Sequence, residues 1–122
     1  MGVAAYAVLV FITSVIPIDA RLAPGRVDKV AHFCEYLLFA WLFLRALRAT
    51  ASAPSPQALI AWAAATGFGM MIELIQAWLP WRSAELADAA MDALGAAFGA
   101  TIVPSFVFNP KLKTELNNDA NP

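Results

Sequence analysis

The chain has 122 residues, room for one domain, and is 61% hydrophobic but only 14% charged. A soluble domain this small has too much surface for its volume to hide that apolar area, so lipid is the expected solvent. A net charge of −1 without a dense basic run gives no footprint for nucleic acid, and a single cysteine excludes an intrachain disulfide.

The first apolar window runs from Gly2 to Ile18 and ends around Pro17. No Lys or Arg precedes it and no clean small-x-small cleavage site follows, so it reads as a retained membrane helix rather than a signal peptide. The connection Asp19–Val27 is polar and carries the turn pair Pro24-Gly25. A second window spans Val30–Leu47, with Arg45 and Arg48 able to snorkel at its far end. Cys34 within it is expected to act as a small, buried hydrophobe. Thr50–Pro56, with Pro54 and Pro56, reads as a short loop.

Gln57–Leu79 is the longest window, ~34 Å at a rise of about 1.5 Å per residue, enough to cross a hydrocarbon core of ~30 Å. Pro80-Trp81-Arg82-Ser83 forms the next turn, and a fourth helix runs from Glu85 to Val103, where Pro104 weakens its end. Residues 1–108 thus form the membrane domain, and Asn109–Pro122 a polar tail without aromatic residues. Strands are not supported, because Ala and Leu dominate and alternation is absent. The expected fold is all-α, a four-transmembrane-helix antiparallel bundle with short loops. Trp78 and Trp81 suit an interfacial belt, whereas Trp41 and Trp62 fall deeper and are expected to pack.

Alternating helix direction puts the first and third connections on one membrane side. Asp28, Lys29, His32, Glu35 and Tyr36 open the second helix from that side. Glu73 and Gln76 end the third, Arg82 lies in the turn, and Asp88 and Asp92 begin the fourth. Six residues of rise place Glu73 ~9 Å below the expected end of its helix, and Asp92 is about as deep. Asp28, His32 and Tyr36 recur at i, i+4, i+8, Glu73 and Gln76 at i, i+3, and Asp88 and Asp92 at i, i+4, so each set shares one face. Taken singly, Asp28 and Asp88 fit helix N-termini, and Lys29 and Arg82 fit snorkelling anchors. Glu73 and Asp92 differ, because a carboxylate at depth costs up to about 2.5–3.5 kcal/mol unless paired, neutral or hydrated. Gly95-x-x-x-Gly99 reads as a helix-packing face rather than a dimer motif.

At these residues the chain resembles the VanZ-like family of small membrane proteins. Asp28-Lys29-Val30-Ala31-His32-Phe33-Cys34-Glu35-Tyr36 is similar to the family's D-K-x-x-H-F-x-x-Y signature, and Glu73-Leu74-Ile75-Gln76 to its E-x-x-Q pair. Arg82-Ser83 with Asp88 resembles its R-[ST] and Asp elements, and Gly95 and Gly99 its closing glycines. The likeness covers roughly residues 10 to 103. One departure is Asp92, where the family usually has Asn, a neutral group that both donates and accepts. The resemblance implies a bacterial envelope protein, and the founding member is associated with low-level resistance to the glycopeptide teicoplanin.

The leading functional reading is a site for an envelope lipid or headgroup, formed by Asp28, Lys29, His32, Tyr36, Glu73, Gln76, Arg82, Asp88 and Asp92. Arg82, Lys29 and His32 would face its phosphate. The alternative is an intramembrane enzyme acting on a lipid-linked substrate, with His32 or Glu73 as acid or base. A metal site drawn from His32, Glu35, Glu73, Asp88 and Asp92 ranks below both, since one His among carboxylates lacks the H-E-x-x-H spacing; no metal or cofactor is expected. Lys and Arg tie at four on each side, Arg21, Arg26, Lys29 and Arg82 against Arg45, Arg48, Lys111 and Lys113. Setting Lys29 and Arg82 aside as site residues favours cytoplasmic termini in a multi-pass protein of the bacterial inner membrane.

Overall fold

The structure, a computed structural model, describes residues 2–17, 25–50 and 56–107. The expected connections around Pro24 and Pro54 and the tail Asn109–Pro122 lie outside the described residues. Four helices follow one another, α1 (Val3–Val15), α2 (Gly25–Thr50), α3 (Gln57–Gln76) and α4 (Leu86–Val107), with no strand among the described residues.

The helix ends follow local chemistry. α1 stops because Pro17 pushes Ile16 out of the helical region, to φ −68° and ψ 145°. Its 13 residues rise about 20 Å, less than a full hydrocarbon core. The other three helices are long and apolar enough to cross a membrane. α2 begins earlier than the apolar pattern suggests, so Asp28 lies inside its first turn. There its carboxylate meets the positive end of the helix rather than capping it. α3 ends at Gln76, ahead of Pro80, and tightens into turns through Trp78 N–H to Ile75 O and Leu79 N–H to Gln76 O, both 3.0 Å. α4 continues through Pro104 to Val107, four residues past the expected end; proline is tolerated in apolar membrane helices.

α2 and α4, which run in the same direction, form the most extensive helix contact. A Cβ at Gly95 would strike the Phe33 carbonyl oxygen, and one at Gly99 the Leu37 carbonyl oxygen. The two backbones therefore touch directly, as small-residue faces permit. Elsewhere the core centres on Phe39, whose ring stands 6.1 Å from Tyr6 of α1, 6.2 Å from Tyr36 and 5.2 Å from Phe68 of α3. Val10, Leu44, Ile72, Ala96 and Ala100 fill around it. Leu9, Ile12, Leu38, Ile60, Met70, Leu74, Leu94 and Phe98 face outward, so every helix turns an apolar side away from the core, as a lipid-facing surface requires.

Candidate functional site

Side-chain contacts bring the ends of α1 and α3 and the beginnings of α2 and α4 together. Thr13 reaches Glu35 at 3.4 Å, Gln76 reaches Ser14, and Lys29 reaches Asp88. The parallel register of α2 and α4 then sets His32 opposite Asp92, with Nδ1 2.8 Å from Oδ1. Glu73 of α3 joins them, one ligand-competent atom from each of the three lying within 4.8 Å of the others. All three are buried, with His32 6%, Glu73 8% and Asp92 1% exposed.

Gly69 makes room for this cluster. A Cβ there would lie 2.6 Å from Asp92 Oδ2 and 3.0 Å from Tyr36 Cε1. Any larger residue would displace the carboxylate. The Tyr36 hydroxyl and Glu73 Oε1 are both buried with no hydrogen-bond partner. Glu73 Oε2 accepts the Glu85 backbone N–H at 3.1 Å. That bond changes the origin of Glu73's burial. With α3 ending at Gln76, Glu73 lies only ~4.5 Å of rise from the helix end. The connection between α3 and α4, folded back over it, excludes solvent instead.

Above the buried cluster sits a second layer. Lys29 Nζ binds Glu85 at 2.9 Å and Asp88 at 3.0 Å, so its charge is already matched by two carboxylates. Asp28, half-buried, approaches His32 and Asp88 closely enough to form a second three-residue group. Arg82, half-buried on the connection, forms no ion pair among the described residues and lies within electrostatic reach of Glu35.

Gln76 points elsewhere. It is 1% exposed and donates its amide N–H to Ser14 O at 2.9 Å, while the Trp81 indole donates to Val15 O at 3.1 Å. These are carbonyls of the last turn of α1, which have no partner inside their own helix. α3 and the turn after it therefore cap α1 and hold the short helix in place. Gln76→Ala is expected to cost about 1–3 kcal/mol, the penalty for leaving a buried acceptor unpaired. The measurement is the thermal midpoint in detergent, with Gln76→Glu, which keeps an oxygen but loses the donor, expected to be as damaging.

Sequence reasoning overlooked Glu85 and Gly69. Gly69 was detectable, since it lies one turn before Glu73 on the same face of α3. Glu85 was not, because its role depends on how the connection folds. Two packing expectations are corrected. Cys34 is exposed on the outer face of α2, where an apolar thiol meets lipid at little cost. Trp62 is on the surface of α3, its indole donating to Ala93 O at 3.1 Å, so it clamps α3 to α4 from outside. Arg45 stacks 5.0 Å from the Trp41 ring centroid and thus stays against its own helix.

Residues 3–108 match the family model described as VanZ/LLP1. No curated protein and no solved structure matches the chain.

Proposed function

This chain belongs to the VanZ/LLP1 family, and from that premise we propose that its polar end binds the headgroup of a bacterial envelope lipid or lipid-linked precursor. The observation that carries the reading is Arg82, a cation without an ion pair among the described residues, on the connection that closes over the His32–Glu73–Asp92 cluster. Guanidinium is suited to gripping a phosphate with two parallel hydrogen bonds. Lys29 is held by Glu85 and Asp88, so Arg82 rather than Lys29 takes the phosphate. In this reading the protein is a multi-pass protein of the cytoplasmic membrane with cytoplasmic termini and the site on the outer side. There, altered handling of an envelope lipid lowers susceptibility to a glycopeptide such as teicoplanin.

The full chain in detergent, titrated with a polyprenyl pyrophosphate and separately with phosphatidylglycerol, tests this. Arg82→Lys is expected to weaken binding of the preferred ligand about tenfold, the equivalent of ~1.4 kcal/mol, because ammonium cannot reproduce the bidentate contact. Binding unchanged in both Arg82→Lys and Arg82→Ala would remove the reading.

The 2.8 Å contact between His32 Nδ1 and Asp92 also favours a catalytic reading. A carboxylate fixing an imidazole is how a general acid or base is oriented. Glu73→Gln separates the two. A binder keeps most of its affinity, whereas an enzyme keeps affinity but loses turnover of the lipid-linked substrate.

A further inference from the structure

We propose that His32, Glu73 and Asp92 form a binding site for a first-row divalent cation, Zn²⁺ or Mn²⁺. The sequence supplies no local metal motif. The ligands instead come one each from α2, α3 and α4, and only the packing of those helices unites them within 4.8 Å.

Three observations support this beyond the clustering. First, Glu73 Oε1 is buried without any hydrogen-bond partner while its other oxygen is fixed by the Glu85 N–H. That leaves a positioned carboxylate with one oxygen free to coordinate. Second, the Tyr36 hydroxyl is also buried and unpartnered, and its ring flanks the Asp92 carboxylate at Gly69. A hydroxyl there can donate to a water or phosphate oxygen in an open coordination position. Third, the buried carboxylates lack a permanent cation. Lys29 is paired with Glu85 and Asp88 and Arg82 lies within reach of Glu35, so among the described residues no Lys or Arg forms an ion pair with Glu73 or Asp92. A shared positive centre would stabilise two buried carboxylates held together in an apolar bundle.

The donor set selects the ion. Calcium and magnesium prefer all-oxygen shells, whereas one imidazole with two carboxylates suits zinc or manganese. At metal–ligand bonds of roughly 2.1 Å, neighbouring ligand atoms stand about 3.0–3.4 Å apart. The His32–Asp92 separation of 2.8 Å therefore needs to open by only a few tenths of an ångström. Three protein ligands leave a position for water or a substrate oxygen. The neighbouring group Asp28, His32 and Asp88 shares the same imidazole, and its Asp88 is bound to Lys29, so it is not a second independent site.

The test uses the purified full chain in detergent, stripped with a chelator and then titrated with Zn²⁺ or Mn²⁺ alone. Elemental analysis after gel filtration is expected to find about one ion per chain, together with a raised thermal midpoint. Glu73→Gln and Asp92→Asn are each expected to weaken metal affinity at least about tenfold, the lower range for disturbing even an outer-shell partner. Arg82→Lys, outside the ligand set, should leave metal affinity unchanged, which separates this site from headgroup binding. Wild-type protein that retains no ion above background and shows no midpoint shift with either metal overturns the proposal. So does undiminished binding in the Glu73→Gln, Asp92→Asn double variant.

Discussion

His32→Ala is expected to destabilise the protein by about 3–5 kcal/mol, the cost of breaking a buried pair and stranding its partner. Asp92 is 1% exposed, and among the described residues its carboxylate is hydrogen-bonded to the His32 ring alone, at 2.8 Å. Once the imidazole is gone, the buried acid loses the partner that holds it and is shielded from solvent. The loss should be visible as a lower thermal midpoint in detergent and as reduced accumulation in the membrane. Asp92→Asn is expected to be milder, because an amide oxygen can still accept from the imidazole without carrying a charge. The pair is coupled, so His32→Ala with Asp92→Ala should cost less than the two single changes summed, by about 0.5–3 kcal/mol. Strict additivity in that cycle would show that the 2.8 Å contact contributes nothing to folding.

Gly95→Ala and Gly99→Ala, the smallest changes available at those positions, should also be damaging. In an exposed helix interior, glycine to alanine gains about 0.8–1 kcal/mol of helix propensity. Here the added methyl meets the Phe33 or Leu37 carbonyl oxygen. That obstacle is backbone and cannot rotate away. Overpacking of a fixed core costs typically about 1–3 kcal/mol, so the clash outweighs the propensity gain and both variants are expected to lose stability. Gly67 is the control. A Cβ there meets nothing within 4 Å, and Gly67→Ala should leave the midpoint unchanged or raise it. The double variant Gly95→Ala, Gly99→Ala should separate α2 from α4 and with them His32 from Asp92, so that any ligand or metal binding falls together with stability. If Gly95→Ala proved as harmless as Gly67→Ala, the direct backbone contact between the helices would be refuted.

Composition and apolar window length determined the helical membrane architecture, because lipid tolerates only helices or closed barrels and this chain has no alternating strands. Spacing of three and four residues likewise determined which polar side chains share a helix face, and alternating helix direction placed Asp28, His32, Glu73, Arg82, Asp88 and Asp92 at one end. Those are local properties, fixed by rise and period. The tertiary structure decided which of those residues meet. Gln76 turns away to cap α1, Lys29 pairs with Glu85 and Asp88, and His32 is left to Asp92 and Glu73. No sequence period encodes that choice. It depends on the distance between α2 and α4, set by two glycines against two carbonyls, and on a connection that folds its Glu85 N–H onto Glu73.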